Sequence, residues 1–336
     1  MPNVLIRNGR VLDGTGNPWS RADVVISGDR IEHVGRVSES ISARSTKVID
    51  AQGMYVCPGF IDMHAHSGLV VLDKPLHEPK VTQGITTELI GVDGCSYAPF
   101  LSKDDLTSFR VLNAGLDGNP ELQQEWSSVS EYLGHLDNKV SCNFAYVMGN
   151  SALRVSAMGW DNRPPTSDEL KKMKYLIHQG MEEGAVGVST GLDYIAQCFS
   201  STDELVEACS AMSAYGGLYV SHVRYKKGIL PALREAVEIG RRANVPVHVS
   251  HLKGKTKEES EAILEFVDNI ARHEVDFSFD VYPYLAGSTM LNYQLPYEVW
   301  EEGPIRAMSK LNDVGLRRLF KKKLEFVDLD QLTIAW

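Results

Sequence analysis

Residues 56–68 read VCPGFIDMHAHSG. A short apolar run ends in two histidines, His64 and His66, one residue apart. On a strand, residues i and i+2 face the same side, so both imidazoles would point one way. The rest of the chain argues for a strand. Downstream come TTELIGV (86–92), NFAYVMG (143–149), AVGVST (185–190), GLYVSHV (217–223), VPVHVSH (245–251) and VDFSFDV (275–281), all short and apolar. Between several of them lie amphipathic stretches at 167–184, 201–217, 229–245 and 257–275. The first two open with Ser or Thr beside Asp and Glu, an N-cap pattern, and end in glycine, a helix stop. Strands alternating with helices predict a parallel sheet with crossovers. Seven such units over about 230 residues fit an α/β fold of the (β/α)8 barrel type better than an open sheet.

Before residue 56 the texture differs. VLIRNGRVLDG (4–14), ADVVISGDRIEHVG (22–35) and KVIDAQGMYV (47–56) carry apolar residues at period two. SGDR at 27–30 supplies a hairpin turn. This predicts a small β-layer over 1–56, a barrel over 57–290, and helix and loop with one short apolar end over 291–336. Seven strands are one short of a closed barrel.

Composition sets outer bounds. The chain has 336 residues, 43% hydrophobic and 23% charged, which is enough for a large core. A net charge of −10 argues against a nucleic-acid partner, which would require a basic face. No apolar run reaches membrane-span length, and the first residues lack the apolar core of a signal peptide. Five scattered cysteines without a CxxC pair read as reduced thiols in the cytoplasm.

In a parallel barrel the active site gathers at the C-terminal strand ends. Strand one ends in His64 and His66, strand two in Cys95, strand five in His222, strand six in His251 and strand seven in Asp280, Tyr282 and Tyr284. Four imidazoles and a thiol on one rim suit zinc, with a position left open for catalysis. A two-metal site sharing the Cys95 thiolate is compatible with this count. His248, three residues before His251, falls on the other strand face and packs against a helix. Lys253, two residues after His251, places a cation where a substrate carboxylate could pair with it. Arg224 stands in the same relation to His222.

PGFIDMHAHSG, GVDGCSYAP, GAVGVSTGLDY, YVSHVR, VSHLKGK and DVYPYLAGST together resemble the amidohydrolase superfamily, and within it the N-acyl-D-amino-acid deacylases (D-aminoacylases). The resemblance runs from the N-terminus to about residue 291. It implies a metal-dependent hydrolase barrel, with 1–56 as the first half of a β-sandwich. It further implies that Cys95, His222 and His251 hold the tighter zinc, and that His64 and His66 serve a second, weaker position. Lys253 and Tyr284 match positions near the substrate carboxylate and acyl group. The implied substrate is a small-molecule N-acyl-D-amino acid, cleaved to a carboxylate and a free D-amino acid. The same family takes its general base from an aspartate on strand eight, which this chain does not show. A shortened chain with little deacylase activity is the resulting expectation. A cyclic amidase of the dihydropyrimidinase or dihydroorotase kind, or an inactive metal-binding remnant, are the alternatives. The first is weakened by the absence of a lysine in AVGVST.

Overall fold

The computed structural model describes residues 4–42, 44–300, 302–324 and 333. They form two compact units, 1–60 and 61–336. The first is a five-stranded sheet of β1 (Val4–Val11), β2 (Ser20–Ser27), β3 (Arg30–Gly35), β4 (Lys47–Asp50) and β5 (Tyr55–Val56). β1 lies between β2, antiparallel, and β4, parallel, and β5 extends along β1. The β2–β3 hairpin closes at the expected turn, where Gly28 has φ +60°, a value that favours glycine. Val11, Ala22 and Val24 form its small core.

The second unit holds seven strands: β6 (Phe60–Ala65), β7 (Ile85–Ile90), β8 (Asn143–Gly149), β9 (Gly187–Gly191), β10 (Leu218–His222), β11 (Val247–Val249) and β12 (Phe277–Phe279). Their spatial order follows the chain, β6 to β12, and the pairs from β7 to β12 are parallel. This is the expected barrel, curled but open between β6 and β12 among the described residues. Alternation along the strands divides the core. Met63, Leu89, Ala145, Val147, Leu218 and Val220 meet on one face of the sheet. Tyr146, Met148, Val188 and Tyr219 point the other way, into the large cluster shared with the helices.

The four expected helices form at Ser167–Glu182, Thr202–Ser210, Ile229–Ala243 and Lys257–Phe266. Three more, Lys103–Asp117, Val129–Leu136 and Asn150–Met158, cover the crossovers beside β8. Five of these seven helices start at a side-chain cap, from Ser102, Ser128, Thr166, Ser201 and Thr256. Thr166 with Glu169, and Ser128 with Glu131, each make a full capping box. The helix over Ile229–Ala243 buries Ile229, Ala232, Leu233, Ala236, Val237 and Gly240 as one stripe against the sheet. After β12 the chain is loop and helix, with helices at Pro304–Asn312 and Val314–Leu324. The short apolar end at 334–336 lies outside the described residues. No helix among the described residues is long and apolar enough to cross a membrane. All five cysteines are free thiols.

Candidate metal centre

The strand ends bring four imidazoles together, as two pairs. His64 and His66, at the end of β6, place their Nε2 atoms 3.2 Å apart. His222 closes β10, and its Nδ1 lies 3.0 Å from Nε2 of His251, which follows β11. The rings of His64 and His251 are 4.9 Å apart, so the two pairs face each other across the rim.

The group at the centre of the four is one that strand counting misses: Asp93. Its Oδ2 lies 3.5 Å from His64 Nε2, 3.6 Å from His66 Nε2, 3.8 Å from His222 Nδ1 and 3.6 Å from His251 Nε2. These separations are too long for good hydrogen bonds. They match the spacing of two ligands on one tetrahedral ion, about 3.4 Å for metal–ligand bonds of about 2.1 Å. Asp93 Oδ1 and His64 Nδ1 are buried with no hydrogen-bond partner. Buried polar atoms of this kind are rarely left unsatisfied, so the donor set fits a bound cation. Among the described residues, His64, Asp93 and His251 have donor atoms that all lie within 4.8 Å of one another. Burial alone would raise the Asp93 carboxyl, but the charge of His64 and the contacts from His251 and His64 hold it well below the usual carboxylate range.

The Asp93 backbone is locked in place. Asp93 has φ +56°, flanked by Gly91 at +83° and Gly94 at +67°. Its carbonyl accepts from Gln197 Nε2 at 2.9 Å, while Gln197 Oε1 accepts from the Gly191 N–H at 2.7 Å. The Gly94 N–H donates to Ser189 Oγ at 3.0 Å, and Ser189 donates to the Gly91 carbonyl. A Cβ at Gly191 would stand 2.1 Å from the Asp93 carbonyl oxygen, so only glycine lets the two backbones approach.

Cys95, expected among the ligands, stands apart from this cluster. Its Sγ reaches the Asp93 carbonyl oxygen and Asn113 Oδ1, each at 3.5 Å. Burial pushes its thiol well above the ordinary value, with Asp117 and Asp93 adding to the effect. The reason is local. β7 ends at Ile90, and a turn of left-handed residues follows, so strand alternation no longer says which side chain meets the rim.

Further carboxylates orient the imidazoles: Asp280, which the strand ends had already marked, and Asp117 and Asp193, which they had not. His66 Nδ1 meets Asp117 Oδ1 at 2.8 Å, leaving Nε2 to face inward, and Tyr97 donates to the other Asp117 oxygen. Burial would lower the His66 pKa, but Asp117 and Asp93 outweigh it and lift it to about 10. His222 Nε2 lies 3.4 Å from Asp193 Oδ2, and Asp193 also accepts from Tyr297 at 2.7 Å and Tyr293 at 3.3 Å. Asp280 accepts from the His251 N–H at 2.7 Å and from His248 Nε2 at 2.9 Å. His248 therefore packs against the neighbouring strand, bonding Asp280 and Ser278, rather than against a helix. Asp117 ends a helix and Asp193 follows β9. Neither belongs to a histidine or cysteine pattern that would mark it in sequence.

Of the residues expected beside a substrate, Lys253 donates to Tyr282 at 2.7 Å and lies over the rings of Tyr282 and Tyr225. Tyr284 stacks on Tyr282, centroids 4.4 Å apart, and is 57% exposed. Arg224 is placed differently. It is 4% exposed, and its guanidinium binds Glu235 at 2.9 Å and the carbonyls of Leu192, Cys198 and Ser200. With its donors engaged inside the protein, it is a structural cation beneath the rim.

A parallel barrel with a histidine and carboxylate rim at its strand C-termini defines a metal-binding α/β barrel of the hydrolase type. A family model described as "Amidohydrolase family" matches residues 47–285, and the chain belongs to that family. It is 35% identical to the D-aminoacylase of Alcaligenes xylosoxydans xylosoxydans over 298 residues, which cover 86% of this chain and 59% of that one. The crystal structure of D-aminoacylase superposes with a TM-score of 0.76 at 35% identity, covering 87% of this chain and 60% of that one. The N-acyl-D-glutamate deacylase of Bordetella bronchiseptica, solved with zinc and a phosphonate mimic of the tetrahedral intermediate, gives 0.75 at 32%, covering 84% and 59%. The chain thus spans about three fifths of the length of these relatives.

Proposed function

We propose that this chain carries the metal-dependent hydrolase barrel of an N-acyl-D-amino-acid deacylase, cleaving the amide to a carboxylate and a free D-amino acid. The observation that carries this reading is the Asp93 carboxylate standing 3.5–3.8 Å from four imidazole nitrogens at the strand ends. His64, His66, His222, His251 and Asp93 would hold zinc. When bound, zinc polarises the amide carbonyl and brings the pKa of its water near neutrality.

The remaining residues position and bind. Asp117 and Asp193 fix the orientations of His66 and His222, and Asp280 holds the His251 backbone and His248. Lys253, at the exposed edge, pairs with the substrate carboxylate. The stacked Tyr282 and Tyr284 rings offer the acyl group a flat apolar surface. No strand follows β12 among the described residues, so the proton acceptor expected on an eighth strand has no counterpart there. Asp280 lies 4.0 Å from His64 Nδ1, but its oxygens are already engaged by His248 and the His251 N–H. The free thiols support a reducing compartment, the cytoplasm. β9, Gly187–Gly191, carries no lysine, which favours a linear amide over the cyclic-amidase alternative.

The test is hydrolysis of N-acetyl-D-methionine by purified, zinc-loaded protein, with N-acetyl-L-methionine and dihydrouracil as controls. Slow release of D-methionine alone, weak because no strand-eight proton acceptor lies among the described residues, abolished by chelator and restored by zinc, is expected. Turnover of the cyclic amide only, or of none of the three by protein that holds zinc, would overturn the reading.

A further inference from the structure

We infer that the metal centre is bridged by a carboxylate and free of thiolate: Asp93 links two metal positions, one held by His64 and His66 and the other by His222 and His251, while Cys95 stays out of the coordination sphere. This rests on the reading of the rim as a metal centre, and it departs from the cysteine-held zinc that the sequence resemblance implies.

Three observations carry it. First, Asp93 Oδ2 is nearly equidistant from the two imidazole pairs, at 3.5 and 3.6 Å from one and 3.8 and 3.6 Å from the other. An atom in that position serves both pairs, as a bridging ligand does. Second, Asp93 Oδ1 is buried and has no protein partner. A metal ion contacted by this second oxygen as well would satisfy it.

Third, the turn cannot readily exchange one side chain for the other. The Cys95 N–H donates to the Val92 carbonyl at 2.9 Å, closing the turn. Gln197 and Ser189 grip it on either side of Asp93, and a Cβ at Gly149 would stand 2.3 Å from the Gly94 carbonyl oxygen. On the far side, Ser96 Oγ accepts from the Gly149 N–H at 2.7 Å and donates to the Ala98 carbonyl at 3.0 Å. Bringing Sγ to the rim would require turning this segment and breaking those contacts. As built, the thiol meets Asn113 and a backbone carbonyl.

The chemical consequence is a donor set of nitrogen and oxygen alone. Such a set is harder than one with a thiolate and suits Zn2+, Co2+ and Mn2+ rather than soft cations.

Cobalt(II) substitution of the chelator-stripped full chain tests this, because a thiolate ligand announces itself by a near-ultraviolet sulfur-to-cobalt charge-transfer band. Two readouts are taken together, cobalt content by elemental analysis and the absorption spectrum. Wild type and Cys95→Ser should bind the same amount of cobalt with superimposable spectra lacking the band. Asp93→Asn should lose at least tenfold in cobalt affinity while its far-ultraviolet circular dichroism stays native. Asp93→Cys should acquire the band, showing that a thiolate at the true bridging position is visible. A wild-type band that disappears in Cys95→Ser, or a tenfold loss of affinity in that variant, overturns the inference and leaves the metal-centre reading intact. A wild-type chain that binds no cobalt, zinc or manganese overturns both.

Discussion

The end of β6 and the turn after β7 each carry two residues with metal-binding side chains at i and i+2, though only Cys95 of the second pair stood out in sequence. They deliver different results. At His64 and His66 both side chains reach the rim, their Nε2 atoms 3.2 Å apart. At Asp93 and Cys95 only the first does. The contrast recurs past β10 and β11: Arg224 follows His222 by two and turns into the protein, whereas Lys253 follows His251 by two and stays at the tyrosine edge. Side-chain alternation holds while the backbone is a strand. Beyond the last ladder bond, left-handed turns and buried counter-charges decide where a side chain goes.

Six substitutions, four of them forming two paired comparisons, test this contrast and its surroundings. The largest effect belongs to Arg224→Ala. It removes the cation paired with Glu235, and breaking a pair of this kind costs about 3–5 kcal/mol when buried. Chemical denaturation should show this loss. Lys253→Ala, its counterpart past β11, should leave stability nearly unchanged and raise KM with kcat little altered. If Arg224→Ala instead behaves like Lys253→Ala, the contrast fails.

Gly191→Ala comes next. Its new Cβ meets the Asp93 carbonyl at 2.1 Å, so the turn must move. Overpacking of this kind costs about 1–3 kcal/mol, and metal content should fall with it. Gly134→Ala, whose Cβ meets nothing within 4 Å, is the control that should do neither.

Asp117→Asn keeps the shape but removes the charge facing His66 Nδ1. Losing the carboxylate that orients a metal-facing imidazole costs about 10–100-fold in metal affinity, measurable by competition with a chromophoric chelator. An unchanged affinity would show that the β6 pair needs no orienting carboxylate.

The smallest effect lies far from the rim. Arg163, followed by the Thr166 cap, draws the Glu169 carboxyl down from 4.5 to about 2. A carboxyl depressed on folding stabilises the protein above its unfolded value and loses that contribution as pH falls from 4.5 toward 2. Thermal unfolding of wild type and Glu169→Gln should therefore differ at pH 6 and converge at the acid end of that window. A gap that widens on acidification would reverse the sign.

Much of the molecule was legible without coordinates. Apolar runs of strand length, separated by capped amphipathic helices, allow few arrangements other than a parallel sheet with crossovers, and β6 to β12 formed where those runs lie. His64, His66, His222 and His251 were readable because each sits on a strand or within two residues of its end, so that counting strands is enough to bring them together. Asp93, Asp117 and Asp193 were not. An aspartate in a turn, at a helix end or in a loop looks like any solvated acid until the chain folds around it. Only the tertiary structure could choose Asp93 over Cys95, because that choice depends on φ +56° at one residue and on clamps from Gln197 and Ser189, about a hundred positions away. Local pattern sets which elements form and which strand ends carry imidazoles. Contacts distant in sequence set the direction of each side chain beyond those ends, and here that direction separates the side chains that meet at the rim from their neighbours.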